Sequence, residues 1–260
     1  MLAAGAAAGS AAMAQVDVGK ASQFRKLVSA DQLESAASQQ YVQTLEEARV
    51  KRSLMPPSHP QVTRLRAIAQ RLIPNTPQWN GRASQWRWEV NLIDSPQINA
   101  FCMPGGKIAF YTGILDQLKL SDDEAAMIMG HEMAHALREH GRERIGKTQA
   151  TGMGLSALSQ LLGLGNLGNV AAELGTQLLA LQFSREDESE ADLVGLELAA
   201  RSAYAPQAGA TLWRKMSAVS GGSNSAKFLS THPSGPQRVK DLEANAPKVQ
   251  ALYDKARKGA

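Results

Sequence analysis

Residues 129–141 read MGHEMAHALREHG. His131 and His135 stand four positions apart, with Glu132 beside the first. On an α-helix, positions i and i+4 share a face with their Cβ atoms about 5–6 Å apart. Two imidazoles at that spacing reach one metal ion. Glu132 is rotated by one residue, which disfavours it as a ligand. It still reaches a water held by the metal, where a general base must stand. The plain alternative is a helix carrying two solvated histidines, and a third ligand elsewhere in the chain decides between the two.

A third histidine in the pattern HExxHxxGxxH would fall at position 141, which is Gly141, and the glycine it requires at 138 is Arg138. That arrangement is excluded. His140 lies half a helical turn out of phase with His131 and reads as a surface histidine or one packed behind the ligands. A carboxylate on a later helix remains. The stretch SREDESEADLVG offers Glu186, Asp187, Glu188, Glu190 and Asp192. Glu188 and Asp192 are again i and i+4, and Ala191 is small enough to let two helices approach. Glu188 as ligand, with Asp192 accepting the second N–H of a histidine, makes a complete site. Taken alone, the same residues also suit an acidic first turn favoured by the helix dipole.

The elements that must position these groups are mostly helical. Residues 22–50 and 61–73 carry apolar residues at helical spacing, broken by MPPSHP and stopped before Pro74. WRWEVNLID (86–94) alternates apolar and polar residues and predicts a strand. INAFCMPGGKIAFYTGIL places two short apolar runs around PGG, a hairpin. Ser121 followed by Glu124 is a capping box. It opens a helix running to about His140, with Gly141 as the residue after its end. Further helices are expected at 173–202, from about 206 through Val219, and after the turn THPSGP. The expected class is mainly α with a small β-sheet.

Composition narrows the function. At 260 residues and 43% hydrophobic, the chain can bury a full core. A net charge of +4 with 5% aromatics and no Lys/Arg block leaves no nucleic-acid footprint. The single cysteine, Cys102, excludes a disulfide framework and a cysteine zinc ribbon, and reads as a buried strand residue rather than a metal-binding switch. Residues 148–172 carry no charge, but their glycines and asparagines dilute the apolar density a membrane span needs. They are expected to form a helical layer, a cover over the site or a peripheral membrane contact. Residues 1–14 end in small residues before Gln15, as at a signal-peptidase site, without the basic start of a full signal. The expected organisation is a signal remnant over 1–14, a helical extension over 15–58, the site-bearing domain over 59–245 and a C-terminal helix or tail over 246–260.

HEMAH and SREDESEAD, with INAFCMPGGKIAFYTGIL upstream and STHPSGPQRV downstream, together resemble metallopeptidase family forty-eight, the HtpX-like and CAAX-prenyl-protease-like zinc peptidases. Four blocks fall in the family's order across roughly residues 60–242. The family pattern Glu-x-x-Ala-Asp falls on Glu188 to Asp192, which selects Glu188 over Glu186 and Glu190. The resemblance implies a helical gluzincin fold, one Zn²⁺ per chain and a substrate cleft along Asn99, Ala100 and Phe101. The spacer between His135 and Glu188 is too rich in Gly and Asn for the membrane hairpin of the integral members. The resemblance implies a small periplasmic member reduced to the protease domain, with misfolded or unassembled envelope proteins as expected substrates and the outer-membrane assembly machinery as a candidate partner.

The chemistry expected is metal-assisted amide hydrolysis. Zn²⁺ on His131, His135 and Glu188 activates a water whose proton Glu132 takes. An edge strand from 86–112 aligns the substrate. The oxyanion needs a donor, for which His232 and Arg238 are candidates. His232, held in a Pro-rich turn, is also placed to be a fourth ligand in a latent resting state. Two other classes compete: a periplasmic chaperone or adaptor with a structural zinc, and a zinc hydrolase of non-peptide substrates. A structural site has no use for Glu132, which disfavours the chaperone.

Overall fold

The computed structural model describes residues 16–150, 174–175, 177–219, 226–233 and 235–259. The expectations for the signal remnant and for 151–172 lie outside these residues. A three-stranded sheet and a set of helices share one core. α1 (Ala30–Val50) is capped by Ser29, and α2 (Pro60–Leu72) starts with proline at its first position. The strands are β1 (Glu89–Ile93), β2 (Ala100–Met103) and β3 (Lys107–Tyr111), in the order β1-β3-β2. β2 and β3 form the expected antiparallel hairpin, and β1 runs parallel to β3. Gly105 and Gly106 turn the hairpin at φ +83° and +78°, backbone that glycine adopts without cost.

Central β3 is buried on both faces. Val90, Leu92, Ile108 and Phe110 turn to the main core with α2, while Ala109 and Met103 meet Ala37 and Tyr41 of α1. The N-terminal helix thus covers one sheet face. Tyr41 is fully buried there, and its hydroxyl donates to the Ile108 carbonyl at 2.5 Å. β2 is the edge strand on the side of the histidine helix.

A short α3 (Thr112–Gln117) leads to α4 (Asp122–Leu137), which carries the His-Glu-x-x-His pattern. Its N-terminus has the expected capping box of Ser121 and Glu124. Its C-terminus differs from expectation. α4 stops at Leu137, and Glu139 at φ +60° supplies the left-handed turn assigned to Gly141. The Glu139 carboxylate holds this turn by pairing with Arg25 and Arg142, each at 2.7 Å. Gly141 instead lies inside α5 (His140–Ala150), where an added Cβ would stand 3.0 Å from Leu178.

The single helix expected over 173–202 is interrupted at 181–184. α6 (Arg185–Arg201) begins at a second capping box, Ser184 with Asp187. α7 (Ala208–Ala218), α8 (Ala226–Thr231) and α9 (Pro236–Lys258) follow. α9 is the last helix expected after the turn, and it runs unbroken from Pro236 to Lys258. Among the described residues, no helix is long and apolar enough to cross a membrane.

α4 and α6 cross at Gly130 and Gly195. A Cβ on Gly195 would lie 2.7 Å from the His131 amide nitrogen, and one on Gly130 would lie 3.0 Å from the Gly195 carbonyl oxygen. The two backbones therefore touch, which brings the carboxylates of α6 within reach of the histidines of α4. Ala191, expected to permit this approach, is fully buried four residues earlier.

Candidate metal centre

One ligand atom each from His131, His135, Glu188 and His232 lies within 4.8 Å of the others, and all four residues are buried. The closest separations are 3.2 Å between the two Nε2 atoms of His131 and His135, 3.4 Å from His135 Nε2 to Glu188 Oε1 and 3.6 Å from His131 Nε2 to Glu188 Oε2. A tetrahedral ion with bonds of about 2.0–2.1 Å sets its ligands roughly 3.3 Å apart. His131, His135 and Glu188 are spaced for such an ion.

A hydrogen bond fixes the tautomer of His131. Asp192 Oδ1 stands 3.0 Å from His131 Nδ1. Burial pushes the Asp192 carboxyl up, but Arg238 and the hydrogen bonds from His131 and Arg238 outweigh it and hold it at about 2. An ionised carboxylate only accepts, so His131 carries its proton on Nδ1 and presents a lone pair at Nε2. His135 Nδ1 is likewise engaged, 2.9 Å from His140 Nδ1. With His135 also protonated on Nδ1, the 3.2 Å approach of the two Nε2 atoms is two lone pairs facing each other, which a cation between them relieves.

Burial lowers the basicity of His131, and burial with neighbouring imidazoles lowers that of His135 well below the ordinary value. His232 is lowered well below by burial, then by His131 and Arg238. All three are kept neutral, as metal ligands must be. Burial, then the neighbouring Glu188, raises the Glu132 carboxyl well above its usual range. Among the described residues, Glu132 Oε1, Glu188 Oε1 and His232 Nε2 are buried without a hydrogen-bond partner. Leaving three such atoms costs about 1–3 kcal/mol each, and a cation with a polar substrate satisfies all of them. The donor set and the orphaned atoms fit a metal ion.

The structure also places the remaining sequence candidates. His232 Nε2 stands 3.7 Å from Glu132 Oε1, with its ring stacked on Phe228 and its Nδ1 2.9 Å from the Thr231 hydroxyl. Arg238 departs from its role as oxyanion donor. Its Nε and Nη2 both donate to Asp192 at 2.7 Å, Nη1 donates to Glu188, and the guanidinium lies over the Trp213 ring. It binds the carboxylates from behind and orients them. Asn99, Ala100 and Phe101 line a cleft with Glu132, His135 and His232, along the edge strand β2. Cys102 is buried in β2, its thiol raised by burial and then by Glu132, and it is absent from the ligand cluster found among the described residues.

Sequence reasoning missed two aromatic supports. The Trp213 indole donates to Asp192 Oδ1 at 3.1 Å. Phe183 stacks on the His135 ring at 3.8 Å between centroids. Phe183 precedes the Ser184 cap of α6, and that overlooked capping box is the signal that places it. Trp213 has no comparable local signal.

A helical domain with His-Glu-x-x-His on one helix and a glutamate from a second is the architecture of a metal-dependent peptidase. The chain belongs to peptidase family M48, whose family model matches residues 60–246. Among curated relatives, it is 34% identical over 199 residues to the mitochondrial metalloendopeptidase OMA1 of Schizosaccharomyces pombe, covering 76% of this chain and 56% of that protein. It is 28% identical over 211 residues to the metalloprotease LoiP of Escherichia coli (strain K12), covering 77% and 76%. With the beta-barrel assembly-enhancing protease of the same organism it shares 27% identity over 174 residues, covering 62% and 35%. The chain thus spans little more than half of the S. pombe relative.

Proposed function

We propose that the chain is a zinc-dependent endopeptidase. The observation that supports this most directly is Glu132. It is a buried carboxylate with an orphaned oxygen, held beside the converging His131, His135 and Glu188 without belonging to the three closest donors. His131, His135 and Glu188 would hold the zinc, which when bound would polarise the scissile carbonyl and acidify water. Glu132 accepts the proton of the attacking water and returns it to the leaving amine. The edge of β2 takes the substrate backbone as an added strand beside Asn99, Ala100 and Phe101, which gives affinity with little demand on side-chain identity.

That sequence tolerance suits misfolded or unassembled proteins, and we assign the bacterial cell envelope as the compartment. The cleavage pattern before Gln15 and the likeness to the beta-barrel assembly-enhancing protease support this reading. The test is zinc content together with cleavage of an unfolded protein such as casein. About one zinc per chain is expected. His131→Ala, His135→Ala and Glu188→Ala should each strip it and abolish cleavage. Full occupancy in Glu188→Ala would remove that residue from the ligands.

We assign His232 as the residue that would be the fourth ligand of the resting enzyme, where it would stand in the way of the attacking water. His232→Ala should therefore raise initial casein-cleavage rates severalfold. A lowered rate would make it a donor to the oxyanion instead, and an unchanged rate would leave a turn histidine.

A further inference from the structure

Behind His135, away from the converging ligand atoms, lies a buried cluster that the peptidase reading does not use. His140 is 1% exposed, and its Nδ1 is 2.9 Å from His135 Nδ1. Among the described residues its Nε2 has no hydrogen-bond partner, and it faces Glu190 Oε2 at 3.7 Å. The other Glu190 oxygen pairs with Arg138. The contact between His135 and His140 exists because Glu139 turns the chain at φ +60°, folding the start of α5 back onto the end of α4.

Two ring nitrogens at this distance share one proton. His135 Nε2 lies in the ligand cluster, 3.2 Å from His131 Nε2 and 3.4 Å from Glu188 Oε1; to bind an ion there it must offer a lone pair, which puts its proton on Nδ1. That N–H donates to His140 Nδ1. His140 must then carry its own proton on Nε2, the atom turned toward Glu190. A shift of less than about 1 Å closes this last link to hydrogen-bond length.

We propose that His140, backed by Glu190, is a positioning residue for metal binding that fixes the tautomer of His135 and aims its Nε2 at the ion. The inference rests on the peptidase reading of the site. His140 does for His135 what Asp192 does for His131. A neutral imidazole is a weaker acceptor than a carboxylate, and Glu190 stands behind its other ring nitrogen as the next group in the chain of contacts. Glu190, a candidate ligand by sequence, thereby acts one layer further out.

The test measures Zn²⁺ affinity of the whole chain by competition with a chromophoric chelator, with the Co²⁺ absorption spectrum as a second readout. His140→Phe keeps a ring and removes the acceptor. His140→Asn places a carboxamide oxygen near the lost Nδ1. His140→Phe should weaken zinc binding about 10- to 100-fold and perturb the Co²⁺ spectrum. His140→Asn should restore most of the affinity, and Glu190→Gln should fall between. Wild-type affinity in His140→Phe overturns the proposal. So does an Asn variant as weak as the Phe variant, since ring packing alone would then explain the loss. Glu190 is partly exposed, so Glu190→Gln keeps the test open if His140→Phe fails to fold, and unchanged affinity there overturns the relay. Undiminished zinc binding in His135→Ala would refute the peptidase site itself. Loss in His135→Ala with none in His140→Phe refutes this inference alone.

Discussion

Glu132→Gln should lose proteolysis by about 10²- to 10⁴-fold, the usual contribution of a positioned general base, while keeping fold and zinc. The carboxamide has the same shape and cannot accept a proton. Glu132 stands beside the three closest donors and not among them, so ligation should survive. Stability should survive as well. Burial, then the nearby Glu188, raises the Glu132 carboxyl well above its usual range, so the metal-free protein loses nothing when that group becomes a neutral amide. In the loaded protein a neighbouring dication acts the other way and favours the carboxylate. Casein cleavage, zinc content and thermal unfolding of the same preparation check all three points. Undiminished turnover would end both the general-base role and the peptidase reading, and would return the chaperone and non-peptide hydrolase readings to the front.

Arg238→Ala should destabilise the protein by about 3–5 kcal/mol, the cost of stranding a buried charge by removing its partner. The guanidinium is nearly buried and sandwiched between Asp192, Glu188 and the Trp213 ring. Alanine leaves Asp192 with only the His131 and Trp213 donors, and leaves Glu188 with no charge-assisted donor. At roughly 2–4 °C per kcal/mol for a chain of this size, the midpoint should fall by about 10 °C. Loss should be larger without metal, because a bound cation partly replaces the missing charge at Glu188. A midpoint within about 2 °C of the wild type, in both metal-loaded and metal-free protein, would show that Arg238 is not the counter-charge that the geometry makes it.

The parts of the site legible in the sequence are those whose signals are local. His131, Glu132 and His135 share one helix, and their roles follow from the 3.6-residue period alone. The Ser121–Glu124 box and the PGG turn act over three or four residues and fix where α4 and the hairpin begin. Glu188 and Asp192 are visible as an i, i+4 pair, although choosing Glu188 among five acids needed the family pattern. Local reasoning failed where two signals competed. Gly141 looked like a helix end, yet Glu139 takes the left-handed turn, because Arg25 and Arg142 hold its carboxylate, while Gly141 lies inside α5 packed tightly against the leucines at 178 and 181.

By itself, then, the sequence determined the helix that carries the chemistry, the residue types that perform it and a second acidic helix to complete it. Tertiary structure alone decided how these come together. The contact of Gly130 with Gly195 sets the distance between the two helices, since either glycine reads in isolation as a mild helix weakener. The first turn of α9 delivers Arg238 to Asp192, and α7 delivers Trp213 to the same oxygen. The turn after α8 carries His232 to the histidines of α4. Each is a meeting of groups far apart in the chain. No periodicity encodes such a meeting, because it is fixed by how the buried faces of several helices pack at once.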